Sequence, residues 1–151
     1  MVRAYIYLIS FKNTNDIYIG KTKHINIICR FEQHKKDFNS SVNTYVRNRL
    51  NDDWSSVSID VIDSMDMNED LTHLLNHPLN TADPRFNNFR KYTNSYKTKE
   101  ELLKHKLAYT EHFHIHNYNN EGKYNLINKK ITNGYDVYDI YKFYNNYIKD
   151  N

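Results

Sequence analysis

A few side chains in this sequence are of the types that move protons, grip anions or hold cations. Tyr7 and Tyr18 close and open two short apolar runs, Tyr5-Ile6-Tyr7 and Tyr18-Ile19-Gly20-Lys21. Arg30 and His34 stand four residues apart, which puts them on one face of a helix. Glu111 lies in Tyr109-Thr110-Glu111-His112-Phe113, and Asn125 follows in Lys123-Tyr124-Asn125. A phenol can exchange a proton, an arginine fork matches the oxygens of a phosphate, and a carboxylate suits a hard divalent cation. Taken singly, each feature is ordinary. An Arg-x-x-x-His pair is usually a solvated helix face, and a lone helical glutamate is usually on the surface. The order and spacing of the whole set carry the information.

The elements that must position these residues follow from hydrophobic periodicity. Tyr5-Ile6-Tyr7-Leu8-Ile9 and Asp16-Ile17-Tyr18-Ile19-Gly20 are β-branched and aromatic runs around the polar Lys12-Asn13-Thr14-Asn15, the pattern of a hairpin. Ile27, Ile28, Phe31 and Phe38 recur at roughly helical spacing, which predicts an amphipathic helix from His24 to Phe38. A second helix is predicted over Val42 to Leu50, with Ser40 and Ser41 as cap candidates. Ser56 to Asp63 alternates polar and apolar residues as a half-buried third strand should. From about Thr98 to His116, Leu102, Leu103, Leu107, Phe113 and Ile115 predict a long helix. A turn at Asn119 to Gly122 and a short Tyr124-Asn125-Leu126-Ile127 segment come next, then a final helix from about Tyr135 to Ile148.

Residues 65–98 read as an insertion, with a short helix at Glu69 to Leu75, a loop holding Pro78 and Pro84, and then Phe86, Phe89 and Tyr92. The expected architecture is α+β: one domain over residues 1–151, with a small, mostly antiparallel three-stranded sheet flanked by helices.

On these residues the chain resembles the GIY-YIG nuclease superfamily. Tyr5-Ile6-Tyr7 and Tyr18-Ile19-Gly20 resemble the paired signature, with Tyr5 where the family has glycine. The arginine and histidine of the following helix match Arg30 and His34, the helical glutamate matches Glu111, and the later asparagine matches Asn125. The resemblance covers about residues 3–64 and 100–128.

It implies a metal-dependent DNA endonuclease that hydrolyses phosphodiester bonds to 5′-phosphate and 3′-hydroxyl ends. Tyr7 would take the proton of the attacking water, its phenol lowered by cations such as Lys21 or the metal. Tyr18 would bond the phosphate or hold the water. Arg30 would fork onto the scissile phosphate, which lysine could not reproduce. His34 would orient a tyrosine or contact the phosphate. Glu111 would bind one Mg2+, or Mn2+ in its place, and Asn125 would fix the wall of the site. Tyr5 supports an alternative: a DNA-binding or interaction module that keeps the fold without turnover.

The remaining features constrain less. The 151 residues carry a formal charge of +3, which permits an anionic partner without requiring one. Fourteen tyrosines stand beside 3 glycines and 2 prolines, a bias of the kind A/T-rich codons produce. The single Cys29 excludes an intramolecular disulfide and any CxxC zinc site. His112, His114 and His116 flank Glu111 at alternate positions, which point about 200° apart on a helix, so at most two could share a metal.

Tyrosines recur at every third position from Tyr135 to Tyr147, and this stripe suits packing or a homodimer better than base stacking. Lys35-Lys36, Arg47, Arg49, Arg85, Arg90-Lys91 and Lys97 are candidate phosphate contacts. No long apolar run or signal peptide is visible, so the expectation is a soluble, intracellular protein.

Overall fold

The structure is a computed structural model that describes residues 3–23, 26–67 and 99–128. The hairpin forms as β1 (Arg3–Phe11) and β2 (Asp16–Thr22), antiparallel, with Tyr7 opposite Gly20 and Ile9 opposite Tyr18. Its turn needs one left-handed residue, and Asn13 supplies it at φ 65°, a conformation asparagine tolerates well. The Thr14 hydroxyl donates to Phe11 O at 2.9 Å and accepts from Asp16 N, which closes the loop.

Helix α1 (Ile27–Lys36) starts at Asn26, whose side chain accepts from Ile28 N. Helix α2 (Ser41–Arg49) starts at Ser40. Asn43 on α2 joins the two helices. Its Nδ2 donates to the carbonyls of His34 and Lys35 at 3.1 and 2.9 Å, satisfying groups that the end of α1 would otherwise leave unpaired. After a 3-10 turn at Trp54–Ser56 comes β3 (Val57–Asp66), antiparallel to β1 on its other side. Helix α3 (Lys99–Asn120) and the two-residue β4 (Asn125–Leu126) complete the described chain, and β4 runs parallel to β2. Among the described residues the sheet therefore has four strands in the order β3-β1-β2-β4.

Alternation along β1 divides the molecule. Ala4 and Ile6 point to one side and pack with Ile17, Ile19, Met65, Leu103, Leu107 and Ile115 under α3. Tyr7, Ile9 and Phe11 point to the other and pack with Val42, Val46 and Val57 under α1 and α2. Ile6 and Tyr7 are consecutive and both buried because alternation sends them to opposite faces and each face has its own core.

Several expectations are corrected. The sheet has a fourth strand, because Asn125 N and Ile127 N donate to Asn15 O and Ile17 O. Two residues pairing with a distant strand leave no periodic pattern to read. The third strand begins at Val57 and continues through Met65, which is buried against Ala4 and Ile6, so the insertion starts later than residue 65. Helix α1 is shorter at both ends than His24 to Phe38. Ile28 and Phe38, assigned to its apolar face, are 60% and 65% exposed, and the Arg47 guanidinium covers the Phe38 ring at 3.5 Å.

Helix α3 continues past His116 to Asn120. The predicted helices at Glu69 to Leu75 and Tyr135 to Ile148, the tyrosine stripe, Arg85, Arg90, Lys91 and Lys97 lie outside the described residues. Among the described residues, no helix is long and apolar enough to cross a membrane.

Candidate active site

The site grows from the middle of β1. Tyr7 is wholly buried, yet its hydroxyl is not idle: Arg30 Nε donates to it at 3.1 Å and His34 Nε2 meets it at 2.8 Å. Both partners come from successive turns of α1, which the sheet holds against the Tyr7 face. Tyr18, diagonal to Tyr7 on β2, has its ring centroid 6.2 Å from the Tyr7 ring and 5.3 Å from the His34 ring.

Gly20 explains why these rings can meet. A Cβ at residue 20 would lie 2.3 Å from Tyr7 Oη and 2.4 Å from its Cζ, so the tyrosine lies across the space that any other residue would fill. Tyr5 has Thr22 and Ser64 as its strand neighbours and stands on the same face as Tyr7, half-buried.

Electrostatics follow from burial. The Tyr7 phenol is raised well above its ordinary value, first by burial and then by Tyr18, with Arg30 pulling it back. Lys21, one of the cations expected to lower this phenol, has its Nζ 3.3 Å from Glu111 Oε1. Burial and then Glu111 raise the Tyr18 phenol also, while a hydrogen bond with Tyr7 opposes the shift. His34, pushed down to about 4 by burial and then by Arg30, is neutral at physiological pH.

Glu111 stands on α3, which packs on the other face of the sheet, and its charge is felt by both tyrosines. Among the described residues there is no cluster of three metal-binding side chains. The donor set is thus one carboxylate, and that fits a hard cation such as Mg2+, which is commonly held by one or two carboxylates with waters and substrate phosphate. His114 is drawn away to Asp63, with Nε2 to Oδ2 at 2.8 Å.

Arg30 also donates from Nη1 to Gln33 Oε1 at 3.0 Å. Its remaining guanidinium N–H groups border two open depressions. One, of about 290 Å³, is lined by Lys21, Thr22, Lys23, Arg30 and Gln33; the other, of about 370 Å³, by Arg30, Gln33, His34, Lys36 and Asp37.

The structure thus brings Tyr7, Tyr18, Arg30, His34, Lys21 and Glu111 to one end of the sheet. It does not bring Asn125. That side chain donates to Asp16 Oδ1 at 2.8 Å, at the opposite end of β2, where the Tyr45 hydroxyl donates to Asp16 Oδ2. Asn128 is the asparagine that braces the site. Its Oδ1 accepts from Ile19 N at 3.1 Å and its Nδ2 donates to Ile19 O at 2.7 Å, so it pairs with β2 between Tyr18 and Gly20 as a strand would. Nothing in the local sequence distinguishes Asn128 from its many asparagine neighbours.

The geometry agrees with comparison to known families. Residues 3–68 match the family model of the GIY-YIG catalytic domain. The match over this stretch supports membership of the GIY-YIG nuclease superfamily. The matched span contains Tyr7, Tyr18, Lys21, Arg30 and His34, whereas Glu111 and Asn125 lie beyond it. Searches of curated proteins and of solved structures give no match. GIY-YIG domains are typically endonucleases, which supports nuclease activity at a coarse level.

Proposed function

We propose that the chain is a metal-dependent DNA endonuclease that hydrolyses phosphodiester bonds to 5′-phosphate and 3′-hydroxyl ends. The observation that carries this reading is the Tyr7 hydroxyl, buried and held by Arg30 and His34 beside Tyr18. Such a buried phenol is costly to maintain unless its ionised form has work to do, and the Arg30 charge favours that form against the burial that opposes it.

Tyr7 acts as the phenolate. The water oxygen forms its bond to phosphorus while its proton passes to Tyr7 Oη, and the bond from phosphorus to the 3′-oxygen breaks. Arg30 lends its unused N–H groups to the non-bridging phosphate oxygens, where charge accumulates. Tyr18 bonds the phosphate or holds the water. A divalent cation held at Glu111 would supply Lewis-acid relief for the departing 3′-oxygen. Lys21 holds the Glu111 carboxylate in place through their ion pair at 3.3 Å.

The test is nicking of supercoiled plasmid by the purified full chain with Mg2+ or Mn2+, followed by end analysis. Cutting is expected with either cation, and Glu111→Gln should abolish it while the protein stays folded. A folded protein that binds DNA equally well with EDTA and never nicks it would instead establish the binding-module reading, which Tyr5 beside Tyr7 favours. DNA is the proposed partner. Pairing of two copies through the tyrosine-rich residues 130–151 is a further part of the proposal, read by sedimentation of the full chain.

A further inference from the structure

Ser40 occupies two places at once. As the cap of α2 its Oγ accepts from Val42 N at 3.2 Å and from Asn43 N at 3.5 Å. The same oxygen lies 2.7 Å from His34 Nδ1, and His34 Nε2 in turn lies 2.8 Å from Tyr7 Oη. A serine oxygen has two lone pairs and one hydrogen. With both lone pairs turned to the α2 backbone, the hydrogen is what remains for the imidazole.

We infer that Ser40 is a positioning residue that donates to His34 Nδ1, fixes the ring proton on Nε2, and so aims a second hydrogen-bond donor at Tyr7. The ring that faces Tyr7 therefore gives a hydrogen bond and does not receive one. Arg30 Nε supplies the first donor, so the Tyr7 oxygen is gripped from two sides and its own hydrogen is left for Tyr18. Two donors favour the ionised phenol, which offsets part of the desolvation that burial imposes. Burial also keeps His34 neutral, so one ring nitrogen must be an acceptor, and Ser40 decides which. The capped start of α2 is in this way wired to Tyr7: a helix end sets the direction of a hydrogen bond inside the site. The same logic places a third group behind the histidine of other nucleophile and base pairs.

The inference rests on the endonuclease reading only for its kinetic consequence. The first measurement is 15N NMR of the full chain with labelled histidine, the His34 signals being assigned by their loss in His34→Gln. A proton on Nε2 and none on Nδ1 is expected; the reverse overturns the inference whether or not the protein cuts DNA. A folded chain with the expected tautomer that never nicks plasmid overturns the endonuclease reading and leaves the assignment of Ser40 standing.

The second measurement uses Ser40→Asp, which caps a helix as well as serine does but can only accept. At alkaline pH it should move the ring proton to Nδ1, turn Nε2 into an acceptor, and slow single-turnover cutting on the order of 100-fold. Ser40→Thr, which keeps the hydroxyl, should restore the tautomer and most of the rate. If Ser40→Asp leaves the tautomer where it was, Ser40 is a helix cap alone and the inference fails.

Discussion

The two faces of the sheet are built from alternate residues of the same strands, and they differ in kind. Beneath α3 the buried side chains are aliphatic: Ala4, Ile6, Ile17, Ile19, Leu103, Leu107 and Ile115. Beneath α1 and α2 the core holds Tyr7, His34 and Asn43, all buried and all hydrogen-bonded, among Ile9, Phe11, Val42 and Val46. The first face gains stability mainly from apolar area, with Thr110 of α3 a buried polar exception. The second accepts the cost of burying polar groups, and recovers it only because each has a partner within hydrogen-bonding distance. One strand can thus anchor the fold on one face and present the candidate site on the other, simply by alternating its side chains.

The sharpest way to break this contrast is to alter neighbours on opposite faces. Tyr7→Phe keeps the ring and removes the hydroxyl, so cutting should fall by about 100-fold to 10,000-fold while the melting temperature moves little. Ile6→Ala, one residue away, should do the opposite: a loss of about 2–5 kcal/mol in denaturant unfolding, with the folded fraction still cutting. If both variants lost stability and activity together, the faces would not be separable.

Acid should weaken the α1–α2 face selectively. The folded value of His34 is depressed from 6.5 to about 4, so the unfolded chain binds the proton more readily. The contribution is fully present above pH 6.5 and is lost as pH falls from there towards 4, amounting to about 3 kcal/mol. Urea midpoints measured between pH 7 and 4 should fall in the wild type and much less in a His34→Gln variant. On the proposed mechanism activity moves in the same direction, rising with pH. Because the Tyr7 phenol is raised and the phenolate is the working form, the cutting rate should climb from pH 6 to 9 without reaching a plateau.

The smallest expected effect separates the two asparagines. Asn128→Ala removes the brace on Ile19 and should slow cutting more than Asn125→Ala, which loses a bond to Asp16. Each should cost about 0.5–1.5 kcal/mol of stability. Equal kinetic effects would mean that the brace does not matter.

Much of this was readable in the sequence. The hairpin, both short helices and the third strand each show their own periodicity, and the ends that differ do so for local reasons: the Asn26 cap starts α1 later than His24, and Met65 is held in β3 by burial rather than by alternation. The convergence of Tyr7, Tyr18, Arg30 and His34 was readable because one hairpin and one helix carry them all. Three things were not. The raised phenol of Tyr7 depends on how deeply α1 covers it. The pairing of Lys21 with Glu111 joins residues on elements far apart in the chain. The exchange of roles between Asn125 and Asn128 turns on which one meets β2 beside Tyr18, and that depends on where the chain turns after α3.

The clash that a side chain at residue 20 would make with Tyr7 has a consequence for how the protein can change over generations. Tyr7 and Gly20 behave as a single hereditary unit. Enlarging residue 20 expels the phenol from its seat, whereas shrinking residue 7 discards the hydroxyl and opens a void that then tolerates a larger neighbour. Drift at either position is therefore a one-way step, and a descendant that has lost both is not expected to regain the pair by single substitutions. Residue 5, whose strand neighbours are Thr22 and Ser64, lies outside this pairing, and there the chain carries a tyrosine where the family has glycine.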